Sequence, residues 1–459
     1  MILFRYLSAI AALLSTLTIN PAHADDWPQW LGPKRDGIWR ETGIVEAMPA
    51  QPTYKWRTKI GAGYAGPAVA NGKVYIHDRV LAEDAKNPAN SFDRAAVPGK
   101  ERVHRIDASS GKIDWTHDYD CEYRLSYASG PRCTPLVAGG KVYTLGAMGH
   151  LRCLDAASGS LVWQKDFVKD YSAPVQIWGF AAHPLLDGDR LICLVGGDAA
   201  VIAFHKDTGK EIWRSMEVGS VGYCPPVIYN IGNTRQLIIW HPESINGLDP
   251  ETGKVLWSEP FQLHLQSKMS ISMPRLAGDK LFVTSFYDGP MLVQLTADPP
   301  AARLVWKGSS KSEQPNKTDK LHSIIPTPII RDGFIYGICS YGQLRCLKLD
   351  TGERIWETLK ATRAAGMTPA DAKPTRDDRW GNAFITPQGN RDWLFNEHGE
   401  LILAKLSPTG YEELGRMKIL TADNNMAYHP VVWSHPAYSM RCCFARNDSE
   451  IACVDLAAK

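Results

Sequence analysis

One phrase constrains this chain more than its composition does. The run LRCLDAASGSLVW (Leu151–Trp163) is an apolar alternating stretch, a turn ending in Ser-Gly, and a second stretch with a Trp four residues after the Gly. It recurs as VHRIDASSGKIDW (Val103–Trp115), VIAFHKDTGKEIW (Val201–Trp213), INGLDPETGKVLW (Ile245–Trp257) and LRCLKLDTGERIW (Leu344–Trp356). A unit rewritten at this period cannot bury its own apolar face. It must stack on its copies, so a repeat architecture follows before any single residue is read.

Each unit reads as four short strands. Around Leu151 they are residues 130–138, the Gly139-Gly140 turn, residues 141–145, residues 151–155, the Ser-Gly turn, and residues 160–163. Alternation bounded by Gly, Asp and Asn favours antiparallel strands over helices. The Gly four residues before each Trp (Gly111, Gly159, Gly209, Gly253, Gly352) suits a turn position with positive φ. Fourth strands are marked by Trp56, Trp115, Trp163, Trp213, Trp257, Trp306 and Trp356, and an eighth unit (Ile402–Leu414) keeps the frame with Leu414 in place of Trp. The C-terminal IACVDL (Ile451–Leu456) is a third strand without a fourth, and TYKWRTK (Thr53–Lys59) is a fourth strand without the other three. The chain is therefore expected to be all-β, an eight-bladed propeller of four-stranded antiparallel blades. Both termini share one blade, so that no sheet edge is left open.

The expected organisation is a signal peptide over residues 1–24, a Trp-rich N-terminal arm over residues 25–51, and the propeller over residues 52–459. Arg5 is the positive start of the signal, Tyr6 to Ile19 its apolar run, and Ala22-His23-Ala24 its cleavage site. This reading places the mature protein in the periplasm or outside the cell, with no transmembrane segment and as a monomer. A net charge of +2 without a basic run argues against a nucleic-acid surface. The arm (DDWPQWLGPKRDGIW) is expected to plug an apolar surface of the main body with its three tryptophans, a ligand-stacking platform being the other reading. Of the ten cysteines, Cys153, Cys346 and Cys453 occupy equivalent repeat positions, as small core fillers do.

The D-x-x-T/S-G-K-x-x-W pattern (Asp107–Trp115, Asp249–Trp257, and Asp155–Trp163 with Ser160 for Lys) resembles the tryptophan-docking repeat of pyrroloquinoline-quinone-type propellers. That superfamily contains eight-bladed quinoprotein alcohol dehydrogenases and the non-catalytic BamB type of outer-membrane assembly protein. The opening WPQWLGP also looks like the start of exported members of the group. The resemblance implies that Trp115, Trp163, Trp213, Trp257, Trp306 and Trp356 lock adjacent blades together. For chemistry it implies two options. One is a binding or scaffolding module without catalysis and without a cofactor, which is the expectation here. The other is a dehydrogenase of alcohols or sugars that needs pyrroloquinoline quinone and calcium.

The dehydrogenase option needs several oxygen ligands for calcium and a carboxylate base beside a stacking aromatic. Asp377-Asp378-Arg379-Trp380-Gly381-Asn382, entering blade seven, is the best single match. Its plainer reading is a loop ion pair with Trp380 packed on a neighbour. Cys442-Cys443 lies in a strand-like run of the last blade, not in an early-blade loop as in the dehydrogenases, and reads as strand core. No haem, metalloprotease, nucleophile-elbow or phosphate-loop motif occurs, and the histidines show no metal-ligand spacing.

Loops on one face of the ring are where a ligand is expected. The links between blades bring Tyr64, Tyr127, Arg132, Trp178, Tyr223, Lys268, His322, Trp380, Asn382, Tyr428 and His429 to that face. The links between second and third strands bring Asp78, His150, Asp198, His241, Glu243, Asp288, Tyr341, Glu397, His398, Asn447 and Asp448. The candidate ligand-binding set is Trp178, Tyr223, His322, Asp378, Trp380, Asn382, Tyr428 and His429, with a protein or a polar, carbohydrate-like partner. Two longer segments, Ala82–Lys100 and Leu359–Asp378, are expected to rise over the same face as lids or plain loops.

Overall fold

The computed structural model describes residues 25–264, 268–367, 373–425 and 429–459. The expected signal segment and Tyr428 lie outside the described residues. Among the described residues, strands form eight four-stranded antiparallel sheets. Blades one to seven span residues 68–120, 136–166, 185–215, 227–260, 275–307, 329–358 and 383–418. Blade eight joins Tyr54–Lys59 to Glu450–Asp455, Cys442–Arg446 and Ala437–Ser439. Trp56 pairs with Cys453 and Lys59 with Glu450, so the ring closes with both chain ends in one sheet. No helix among the described residues is long and apolar enough to cross a membrane.

The recurring phrase explains how the blades meet. In the third-to-fourth-strand turn the Asp carboxylate accepts backbone N–H groups: Asp155 Oδ1 takes Ala157 N at 3.1 Å and Ser158 N at 2.8 Å. The turn then closes through Gly159 N donating to Asp155 O at 2.8 Å. Gly159 sits at φ +74°, and a Cβ on it would lie 2.7 Å from the Trp115 ring of the preceding blade. The Trp115 indole N–H completes the joint by donating to Ala156 O at 3.2 Å. The same ring-on-glycine contact joins Trp56 to Gly111, Trp163 to Gly209, Trp213 to Gly253 and Trp306 to Gly352. The glycine is thus required twice, by its backbone angle and by the indole against it. Gly159→Ala is expected to cost about 2–4 kcal/mol, from left-handed strain and overpacking together. Chemical denaturation measures it; a loss of stability within error of zero refutes the joint.

Trp257 departs from the expected pattern. The next blade's turn is built on Asp298-Pro299 and offers no glycine. Its indole N–H therefore donates within its own blade, to Gln236 Oε1 at 2.7 Å, and its ring covers Gly247. Trp356 keeps the inter-blade bond, to Ser407 O at 2.9 Å. The first strands are shorter than the repeat predicts: blade two begins at Leu136 rather than residue 130. The residues just before them bend inward and become channel wall. A short helix, Phe167–Tyr171, follows blade two, capped by Asp166, which the alternation did not foreshadow. All ten cysteines are buried thiols, Cys442 and Cys443 within the Cys442–Arg446 strand.

The N-terminal segment crosses the inner strands instead of lying on the rim. Trp27 exchanges both backbone hydrogen bonds with Val69 of blade one at 2.8 Å, and Pro28 O accepts Val137 N of blade two at 2.8 Å. Arg35 is buried, and its guanidinium donates to Pro184 O at 2.8 Å and to His183 O and Pro226 O at 3.3 Å, at the entries to blades three and four. Trp39 N donates to Pro387 O of blade seven, and the Trp39 ring stacks on Tyr438 of blade eight at 4.8 Å. One strip of chain therefore ties blades from both halves of the ring.

A buried carboxylate links blades one and two. Glu101 is fully buried and accepts from the Tyr119 hydroxyl, from the Tyr123 hydroxyl at 2.5 Å and from Ala147 N of blade two at 2.9 Å. Burial opposes its charge, but His77 Nε2 at 3.5 Å and the two hydroxyls outweigh this and hold it down to about 2. A depressed carboxylate stabilises the fold above its ordinary value of 4.5 and loses that contribution as pH falls toward about 2. The contribution is on the order of 3 kcal/mol. Glu101→Gln is expected to flatten this acid limb when unfolding free energy is followed between pH 5 and about 2. An unchanged pH slope refutes it.

Candidate functional site

The loops that carry the chain from one blade to the next converge on a central cavity of about 350 Å³. Its wall is a ring of aromatic side chains, each from a different link: Tyr64, Tyr127, Trp178, Tyr223, Trp380 and Trp433, with Phe92 and Tyr287 beside them. Met269, Ile271, Ile324 and Ile325 fill the gaps. The rings brace one another. Tyr127 lies 6.0 Å from Trp433 and 5.3 Å edge-on from Phe92, and Trp178 lies 5.4 Å from Tyr223.

Two of these aromatics stand on a backbone that side chains rarely adopt. Tyr127 has φ +56° and Trp380 has φ +69°. Left-handed backbone costs a bulky residue about 1–2 kcal/mol, and such strain gathers at functional sites. The surroundings impose it: Tyr127 N donates to Ser91 O at 2.7 Å and Trp380 N to Ser340 O at 3.0 Å.

The inner end of the cavity is closed by Trp30 of the N-terminal segment. Its ring stacks on His183 at 4.6 Å, and its N–H donates to His435 Nε2 at 3.2 Å. Since the indole only donates, that nitrogen of His435 is unprotonated. Burial pushes His435 down to about 3 and His183 well below the usual imidazole range, so both are neutral. The cavity's cations are Arg132 and Arg379. Arg132 lies over the Tyr64 ring at 5.0 Å and donates to Tyr127 O at 2.6 Å. Arg379 lies over the Trp380 ring at 4.8 Å and pairs with Glu313 at 2.9 Å.

The structure divides the residues singled out in the sequence. Trp178, Tyr223 and Trp380 lie in the cavity wall. His322 is buried away from it, with Nδ1 3.1 Å from Phe286 O. Asp378 is held by Arg363 through two contacts of 2.9 Å and by Thr375 N at 2.7 Å, and these, after offsetting its burial, keep its carboxyl below the usual range. Asn382 is fully buried and outside the wall. His429 Nε2 faces Glu397 Oε1 at 3.1 Å, and Glu397 Oε2 accepts the Trp433 indole N–H at 2.9 Å. The hydrogen bond that His429 donates to Glu397 raises it above its ordinary value. Phe92 brings the long blade-one segment into the wall, as a side chain rather than a lid; that segment ends at Pro98, because Gly99 already starts a strand.

Trp30, Trp433 and Tyr287 were not foreseen as wall residues. A signal existed for Trp433: His183-Pro184 and His435-Pro436 each precede an inner strand, and each follows a Trp (Trp178, Trp433). A calcium–quinone centre does not fit this cavity. Among the described residues its wall contains no carboxylate, Asp378 is held by Arg363, and Asn382 is buried outside the wall.

Fold and site together define an eight-bladed propeller of the pyrroloquinoline-quinone-like class with an aromatic central cavity. A family model described as outer membrane protein assembly factor BamB matches residues 99–358, and the chain belongs to that family. BamB of Salmonella typhimurium is 29% identical over 169 residues, 33% of this chain and 38% of that protein. BamB of Burkholderia pseudomallei is 22% identical over 310 residues, 65% of this chain and 75% of that protein. The crystal structure of quinohemoprotein alcohol dehydrogenase from Comamonas testosteroni superposes with a TM-score of 0.62 at 14% identity, over 95% of this chain and 81% of that one. At that identity the likeness carries the fold alone.

Proposed function

We propose that this chain is an exported, non-catalytic binding module that seats a ring-bearing group of its partner in the central cavity. The observation that carries this is the cavity wall: aromatic rings from six different links, neutral histidines at the inner end and no carboxylate among its described residues. Such a wall offers flat, polarisable surfaces to an aromatic side chain or a sugar ring. The family supports the scaffolding side of the reading, since its named members are assembly factors. A displayed protein segment with an aromatic anchor is the partner that this favours; a glycan is the other class to test.

The test is calorimetry of the mature chain with a short peptide carrying a central Trp, with a disaccharide, and with an aliphatic peptide as control. The peptide with Trp is expected to bind and the aliphatic one not. Equal response to both, or to none, overturns the reading.

A further inference from the structure

We propose that Glu397, His398 and His429 form a site for a divalent first-row transition ion of the zinc type where blades seven and eight meet. The inference is independent of what occupies the central cavity. One carboxylate oxygen and two imidazole nitrogens from these residues lie within 4.8 Å of one another. One oxygen and two nitrogens are a donor set that such ions prefer, and three protein ligands leave a position open for water or another oxygen donor.

The surroundings hold the donors in place. Glu397 is 3% exposed, and its two oxygens are divided: Oε2 accepts the Trp433 indole N–H, while Oε1 faces His429 Nε2 at 3.1 Å. A carboxylate fixed through its second oxygen by an N–H donor is the usual outer support of a metal ligand. Glu397 and His398 are consecutive in a tight turn, closed by Gly399 N donating to Asn396 O at 3.0 Å, with Gly399 at φ +78°. Val432 N donates to Glu397 O at 2.7 Å, which ties this turn to the entry of blade eight, where His429 lies. The His398 and His429 rings lie 5.1 Å apart, and both residues keep partial access to solvent, which gives an ion its entry path.

A second cluster, Glu101, Cys121 and His150, has comparable spacing but not the same chemistry. Both oxygens of Glu101 are already taken by Tyr119, Tyr123 and Ala147, and burial pushes the Cys121 thiol far up, away from the thiolate that binds metal.

The experiment is titration of chelator-treated mature protein with Zn²⁺ by calorimetry and with Co²⁺ by visible absorption. One equivalent is expected, with a Co²⁺ spectrum of nitrogen and oxygen ligation. His398→Ala and His429→Ala should each weaken Zn²⁺ binding about 100-fold, and Trp433→Phe, which removes the donor to Glu397, about tenfold. Thermal unfolding in chelator verifies that the variants fold; His398 and His429 are partly exposed, and their alanine variants are expected to. No stoichiometric uptake overturns the proposal. So does uptake that the double variant H398A/H429A retains, which would place the ion elsewhere.

Discussion

Replacing Trp178 and Trp380 together with alanine is expected to lower affinity for the Trp-bearing peptide by about 100-fold, the equivalent of about 3 kcal/mol. Both rings line the cavity from separate links, between blades two and three and between blades six and seven. Each would lose its flat contact with the ligand and the apolar area that contact buries. The fold should not suffer comparably, because both residues sit on loops and are only partly buried. Trp380→Ala also leaves alanine at φ +69°, a strain already present with Trp. The control is Trp115→Ala. That ring packs on Gly159 of the next blade, away from the cavity wall, so stability should fall while affinity holds. Calorimetric affinity and denaturant midpoints, measured on both variants, decide the matter. If the double variant binds as the parent does, the cavity is not the binding site.

Trp39→Ala is expected to destabilise the whole ring by about 3–5 kcal/mol. Trp39 is 1% exposed and touches Tyr438 at 4.8 Å and Trp393 at 5.7 Å. Its indole N–H donates to Glu41 Oε2 at 2.8 Å, and the same oxygen accepts Arg441 N of blade eight at 3.0 Å. Removal therefore leaves a large void and loosens a buried carboxylate at once. The void falls between blades seven and eight, next to the sheet that closes the ring. Unfolding of the variant should begin there, with early loss of amide protection in Tyr54–Lys59 and Glu450–Asp455. Hydrogen exchange resolved by segment would show it. Uniform loss of protection around the ring would refute the closure as the weak joint.

The repeats made the joints between blades legible, and Trp257 shows the limit of that reading. Its Gly253 turn matches the others, but what a Trp docks on belongs to the following unit, and blade five supplies Asp298-Pro299 there instead of a glycine. The Asp-Trp-Asn segment shows a second limit. Trp380 and Asn382 are two residues apart, yet one lines the cavity and the other is buried outside its wall, while Asp378 turns to Arg363. A positive φ at Trp380 reverses the chain between them, and no spacing argument anticipates that for a tryptophan. Trp30 is a third case. The arm's aromatic character was plain, and Trp27 and Trp39 are buried as a plug would be, but Trp30 also closes the cavity against His183 and His435, far away along the chain.

By itself the sequence determined the number of blades, the shared closing blade and the glycine at the turns of blades one to four and six. Those features depend on residues within one repeat and on contact between neighbours, so they are written locally and repeatedly. The tertiary structure alone decided which side chains share the central space. The aromatic wall takes one residue from each of six links, and the Glu397, His398 and His429 cluster draws on two blades. Links between blades have no common length, so no period in the sequence aligns them. Only closing the ring, with the N-terminal segment laid across its inner strands, brings them face to face.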